Sequence, residues 1–231
     1  MKIVIIGAME QEITLLKAQI NHCETQQVAY LSVFTGSIGN NSVYLVQCGI
    51  GKVASAAATA LLIHAFEPDA VINTGSAGGF DPKLNIGDVV IATSLLHHDV
   101  DVTHFGYALG QVPRMPAFYE SNSNLVNLAQ NAIATLPNIQ VKTGLVCSGD
   151  SFVGSDEAAG SIKTNFPTMA AVEMEGAAIA QVCHLMQTPF VVIRSLSDIA
   201  GKTSTVSFDE YLETAATNSA TLVLDIVKNC H

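Results

Sequence analysis

Short apolar runs rich in β-branched residues, bounded by Gly, Pro or Asp, recur at Lys2–Ile6, Ser42–Cys48, Ala70–Asn73, Asp88–Ala92, Val141–Val146 and Phe190–Ile193. Runs this short, without apolar–polar alternation, predict strands buried on both faces. Ala- and Leu-rich helical stretches lie between several of them, at Val53–Phe66, Leu125–Leu136 and Ala177–Met186. Strands alternating with helices predict an α/β fold on a largely parallel sheet. Val28–Thr35 and Ser42–Cys48, joined by the turn-rich GSIGNN, read instead as a hairpin. Glu157–Asn165 predicts a short helix that closes before Pro167, because the residue preceding a proline is biased away from helix. Ser207 and Glu210 form an S-x-x-E capping box that opens a final helix through about Lys228.

No linker, low-complexity tract or repeat interrupts the chain, so its 231 residues read as one domain, 1–231. Hydrophobic residues make up 49% and charged residues only 13%, too apolar and too weakly charged for a disordered chain. So few charges point to surface buried between subunits. The formal net charge is -10, and Arg114 and Arg194 are the two arginines, which leaves no basic stripe for a phosphate backbone and argues against a nucleic-acid partner. The five cysteines show no C-x-x-C spacing and several sit in apolar runs, so they read as reduced core thiols. The start, MKIVIIGAMEQE, lacks a long apolar signal region, and no apolar run is long enough to span a bilayer. A soluble, cytoplasmic protein with no membrane partner is expected.

The chemistry gathers where strands end. Val172–Ala180 (VEMEGAAIA) places Glu173 and Glu175 around Met174 and runs into a small-residue helix; Arg194–Gly201 (RSLSDIAG) carries Asp198; GAMEQE carries Glu12. Open α/β sheets bind ligands at such junctions. Acids there point to proton transfer and hydroxyl binding rather than phosphate capture. In an extended segment Glu173 and Glu175 share a face, whereas at a helix start they diverge, and acids at a helix N-terminus also serve as caps. Asn73–Gly79 (NTGSAGG) reads as a glycine-rich turn that lets a ligand approach backbone N–H groups, with Ser76 offering a hydroxyl.

Two other patterns carry less. Gly49-Ile50-Gly51-Lys52-Val53-Ala54 fits a relaxed dinucleotide fingerprint, with Asp69 twenty residues after Gly49. The acid of a true dinucleotide site closes the second strand, but Asp69 precedes Ala70–Asn73, so this segment reads as a tight strand-to-helix turn. His97, His98, Asp99, Asp101 and His104 match no defined metal-coordination spacing and read as a polar loop or subunit contact.

Taken together, GAMEQE, CGIGKVASA, NTGSAGG, SGDSFV, VEMEGAAIA and RSLSDIAG closely resemble the bacterial 5'-methylthioadenosine/S-adenosylhomocysteine nucleosidases, of the purine nucleoside phosphorylase superfamily, along the whole chain. The resemblance implies a single-domain, three-layer α/β fold with a mixed central sheet flanked by helices, a homodimer and no cofactor or metal. It implies hydrolysis of the N-glycosidic bond of 5'-methylthioadenosine, S-adenosylhomocysteine and 5'-deoxyadenosine, feeding methionine salvage and a quorum-sensing precursor. By position, Glu12 would activate water and Asp198 would protonate adenine N7. Burial would raise the pKa of Asp198 while Glu12 stays ionised in contact with water.

The same resemblance gives Glu175 the ribose hydroxyls, sets Met174 under the sugar, stacks Phe152 on adenine and lets the backbone of Val153 read its edge. Ser76 and Gly78 would line the ribose and water side, Ser197 would lie near the base, and Arg194 would orient the carboxylates. Met9, Ile50 and Phe208 would wall the 5'-alkylthio group. Val102, Phe105, Tyr107 and Pro113 would reach in from the partner subunit. Ser151 and Val153 stand where related chains often carry Ala and Ile, and Gly176 where some carry Ala or Thr, at a helix start where the change should cost little. Two rivals remain open. One is a phosphorylase on the same fold, which would need Arg forks to hold its dianion; the other is a non-catalytic nucleoside sensor.

Overall fold

The computed structural model describes residues 1–135, 139–200 and 204–230. In chain order it runs β1 (Lys2–Gly7), α1 (Glu10–Ala18), β2 (Asn21–Val28), β3 (Leu31–Ile38), β4 (Asn41–Gln47), α2 (Lys52–Phe66), β5 (Ala70–Gly79) and β6 (Val89–His97). It continues with β7 (Tyr119–Glu120), α3 (Ser123–Asn131), β8 (Val141–Ser148), α4 (Asp156–Asn165), β9 (Met169–Glu173), α5 (Gly176–Leu185), β10 (Phe190–Ile199) and α6 (Ser204–Asn229).

All the strands belong to one ten-stranded mixed sheet. β1 lies parallel between β4 and β5, and β5 is parallel to β10. β10 also pairs antiparallel with β6, β6 parallel with β8, β8 parallel with β9, and β9 antiparallel with the end of β5. Five strands thus close on themselves, and β1, β4, β3 and β2 extend from that ring as an open wing.

The unbroken apolar run of β1 follows from its place. Val4 and Ile6 pack on the face shared with α2, while Ile3 and Ile5 pack against Ile13, Leu16 and Ile226 of α1 and α6. All four strand residues are fully buried, each contributing roughly 1.5–3 kcal/mol relative to exposure.

Several boundaries differ from those read in the sequence. NTGSAGG is not a turn: β5 continues through Gly79 because β10 and β9 supply ladder partners as far as Gly78 and Gly79. Asp198 likewise lies within β10 rather than beyond it. The hairpin is a three-strand meander, in which β2 ends at Val28, Ala29 and Tyr30 make the turn, and β3 runs to Ile38 before pairing with β4. The segment α3 gives way at Ala132 to a 3₁₀ turn through Thr135, and the expected end at Leu136 lies outside the described residues. α6 begins at Ser204, which puts Ser207 inside the helix rather than at its cap.

Candidate active site

A cavity of about 360 Å³ opens where the ends of β1, β5, β9 and β10 converge, and a smaller one of about 30 Å³ adjoins it. The large cavity is lined by Met9, Glu12, Ile50, Ser76, Gly78, Phe152, Met174, Glu175, Arg194, Ser197, Asp198 and Phe208. Val153 lines the small one with Ser151. Residues spread over most of the chain are therefore gathered around one space. Ala8, Ala77 and Val172 also form its wall and were not singled out in the sequence, since small or apolar residues in a strand look like any core position. The four residues expected from a partner, Val102, Phe105, Tyr107 and Pro113, do not line the cavity of their own chain. Phe105 is 76% exposed, in a 3₁₀ turn over Thr103–Phe105.

Glu12 sits in the first turn of α1 and is only 1% exposed. Its Oε2 accepts from the backbone N–H groups of Ala8 (2.7 Å) and Met9 (3.2 Å), and Oε1 from the N–H (2.9 Å) and hydroxyl (3.1 Å) of Ser76. Four protein donors converge on this carboxylate, which also lines the cavity. Three of these partners are backbone N–H groups, which can only donate.

Glu173 and Glu175 diverge at the start of α5. Glu173 Oε2 accepts from the backbone N–H of Glu175 (2.9 Å) and Gly176 (2.7 Å), while Oε1 takes the Ser148 hydroxyl, so this acid caps the helix. Glu175 turns the other way and accepts the Gly51 N–H at 2.9 Å. Its carboxyl is pushed up to about 7, chiefly by burial, with Arg194 opposing and Glu173 adding to the rise.

Arg194 is the largest fully buried side chain. Its Nη2 donates to Glu173, to Asn73 Oδ1 at 2.7 Å and to Glu175 Oε2 at 3.3 Å, and its Nη1 to the Ser76 carbonyl at 3.2 Å. Burial works against the guanidinium charge, but Glu173, Glu175 and Glu12 together outweigh it and hold its pKa above the ordinary value. Gly75 makes this close approach feasible: a Cβ there would stand 2.3 Å from Arg194 Nη1 and 2.7 Å from Glu12 Oε1.

Asp198 is 2% exposed and accepts the Ser197 hydroxyl at 2.9 Å. The register of β10 against β5 slips between Leu196 and Asp198, leaving Ser197 as an extra residue. Such a bulge re-aims side chains, and here it lets two consecutive residues both face the cavity. Phe152 and Phe208 meet edge to face above it, with centroids 5.9 Å apart. Burial, reinforced by Glu175, pushes the thiol of the neighbouring Cys48 up to about 12.

The two weaker patterns resolve structurally. Asp69 accepts the backbone N–H of Lys2 at 2.7 Å, at the end of β1 opposite to the Gly49–Gly51 turn. His97 is buried as the last residue of β6 with its Nε2 2.9 Å from Gln181 Oε1, so it is not part of a polar loop, and Asp99 pairs with Lys52. Burial lowers the pKa of His97 and His98. Among the described residues, no three of His, Cys, Asp or Glu come together in a way that could hold a metal ion. Gly176 is also tighter than its helix-start position implied: a Cβ would lie 2.8 Å from Leu95 Cδ2 and 3.1 Å from Glu173 Oε1.

The span that builds this closed mixed sheet and its acid-lined cavity is matched, over residues 2–228, by the family profile of the phosphorylase superfamily. A 5'-methylthioadenosine/S-adenosylhomocysteine nucleosidase of Pseudoalteromonas translucida is 54% identical over 228 residues, covering 99% of this chain and 97% of that protein. The structure of the corresponding nucleosidase of Colwellia psychrerythraea in complex with adenine superposes with a TM-score of 0.97 at 52% identity, covering 98% of this chain and 94% of that one. That of Neisseria meningitidis in complex with methylthio-immucillin-A gives 0.97 at 49% identity, covering 99% of both chains. The chain belongs to the phosphorylase superfamily and, within it, to the family of 5'-methylthioadenosine/S-adenosylhomocysteine nucleosidases.

Proposed function

We propose that the protein hydrolyses the N-glycosidic bond of 5'-methylthioadenosine and S-adenosylhomocysteine, and of 5'-deoxyadenosine, giving adenine and the matching ribose. The observation that carries this reading is the presence of Glu12, Glu175 and Asp198 around one cavity, on a fold shared with adenine- and inhibitor-bound nucleosidases. Glu12 takes a proton from the attacking water, whose oxygen bonds to the anomeric carbon as the bond to adenine N9 breaks. Asp198 gives its proton to N7, so adenine leaves neutral. Each proton transfer is worth ~10²–10⁴-fold in rate. Glu175 accepts from the ribose hydroxyls above Met174. Phe152 stacks on the base while Val153 reads its edge, and Ser76, Gly78 and Ser197 line the ribose and base. Met9, Ile50 and Phe208 receive the 5' substituent.

Water rather than phosphate is the nucleophile because Glu12, the base that must be ionised, stands at the attack site and would repel a dianion, and the cavity holds the single guanidinium of Arg194. Both terminal nitrogens of that guanidinium are already committed to protein acceptors, and Arg114 is exposed and away from the cavity. A dianion entering here meets repulsion with no free Arg fork. The reading includes a cytoplasmic homodimer, in which the partner's loop brings Val102, Phe105, Tyr107 and Pro113 over the 5' end. Adenine release from both thioether substrates, with and without phosphate and with the sugar identified by mass, tests it. Free ribose thioether formed without phosphate is expected; ribose 1-phosphate, or binding with no release, overturns it.

A further inference from the structure

Ile50 and Phe152 wall the cavity from different loops, one leading into α2 and one following β8. A closed ring of three residues ties those loops together. Lys52 Nζ donates to both carboxylate oxygens of Asp99, at 2.7 and 2.8 Å. Asp99 Oδ2 accepts the backbone N–H of Asp150 at 3.0 Å, and Asp150 Oδ1 accepts the backbone N–H of Lys52 at 2.8 Å.

The ring also completes α2. This helix begins after Gly51, which has no side chain to cap it, so its first N–H groups find acceptors elsewhere in the chain: Gly51 N–H bonds Glu175 and Lys52 N–H bonds Asp150. Two carboxylates at the positive end of a fifteen-residue helix are favourably placed. Gly51 has φ +95°, and a Cβ there would stand 3.0 Å from Asp150 Oδ1, so a glycine is what admits Asp150 to this position. Burial alone would raise the Asp99 carboxyl, but Lys52 and the Asp150 N–H hold it below the usual range.

We propose that Asp150, with Asp99 and Lys52, forms a positioning clamp that sets the spacing between the Ile50 wall and the Phe152–Val153 base platform and, through Gly51, steadies Glu175. The clamp rests on the nucleosidase reading, because the spacing it sets is that between base and 5' substituent. None of its three members lines the cavity, so the clamp acts on binding of substrate and transition state alike. Loss of such uniform binding raises KM and leaves kcat nearly unchanged.

The test measures KM and kcat for adenine release from methylthioadenosine, together with calorimetric Kd for methylthio-immucillin-A, which carries both a base and a 5' substituent. For Asp150→Ala, KM and Kd are expected to rise about 10-fold, the equivalent of one lost cap, with kcat within about 3-fold. Asp150→Asn keeps an oxygen acceptor for the Lys52 N–H and should return both constants to near the parent values. Asp99→Ala added to Asp150→Ala should add less than it does alone, because the ring is already open. Should Asp150→Ala fail to fold by circular dichroism, Lys52→Met and Asp99→Ala carry the same expectation. Unmoved KM and Kd, or an asparagine that fails to rescue, overturns the clamp. A parent protein that neither binds the analogue nor releases adenine overturns the nucleosidase reading instead.

Discussion

Glu175 Oε1 accepts the backbone N–H of Gly51 at 2.9 Å, joining the start of α5 to the start of α2 across 124 residues of sequence. The carboxyl that makes this bond is pushed up to about 7, first by its burial. Between the ordinary value of 4.5 and about 7 the folded chain therefore holds a proton that the unfolded chain has released. The stability tied to this proton is full below the lower value and is lost as pH rises through the upper one. Glu175→Gln mimics the protonated form and does not titrate. Thermal melts from about pH 5 to about pH 8 should show the mutant gaining on the parent as pH rises; a constant difference would remove Glu175 as the titrating group.

Arg194 holds Glu173 and Glu175 together without access to solvent. Removing one partner of such a buried pair typically costs ~3–5 kcal/mol, because a charge is left uncompensated. Arg194→Met should therefore lower Tm sharply, and adding Glu173→Gln to it should recover part of the loss. Denaturant unfolding of the single and double mutants measures both effects.

Gly75→Ala places a methyl group 2.3 Å from Arg194 Nη1 and 2.7 Å from Glu12 Oε1. Both groups must shift, and a displacement of about 1 Å at a reacting group can cost ~10²-fold. A fall in kcat of that order, with secondary structure intact by circular dichroism, is the expected result.

Glu12→Gln tests a hydrogen-bond conflict as well as the proposed role of Glu12 as a base. Both oxygens of Glu12 face N–H donors, from Ala8 and Met9 on one side and Ser76 on the other, so the amide NH₂ meets a donor in either orientation. Turnover should drop by ~10²–10⁴-fold and stability by roughly 1–3 kcal/mol. Single-turnover kinetics and urea unfolding separate the two; loss of rate with unchanged stability would contradict the donor geometry.

Asp198→Asn removes the proton that the proposed mechanism delivers to N7 while keeping the side chain's size. Turnover should fall by more than about 10²-fold with Tm little changed. Rapid-quench assay of adenine release reads the rate directly, and near-normal turnover would exclude Asp198 as the acid.

The acids themselves were legible in the chain, because carboxylates at the ends of apolar runs stand out against a buried background. The alternation of runs and helices was legible too, with helices read at Glu157–Asn165 and Ala177–Met186 where α4 and α5 run over Asp156–Asn165 and Gly176–Leu185. β2 was not. Its sequence NHCETQQV is exposed at nearly every position and carries no apolar period, so it is a strand only because β3 offers it a ladder. NTGSAGG was misread for the same reason: its glycines look like a turn until β10 and β9 pair with them.

By itself the sequence determined the α/β class, the run of short buried strands and the gathering of Glu12, Glu173, Glu175 and Asp198 near strand ends. Local propensity and hydrophobic period act over a few residues, and that is the range in which sequence can be read directly. Only the tertiary structure decided that the sheet closes on itself, that Ser197 bulges to turn Asp198 inward, and that Glu173 caps α5 while Glu175 reaches Gly51. Those outcomes depend on hydrogen bonds and charges brought together from distant parts of the chain, where burial decides which partner each polar group must find.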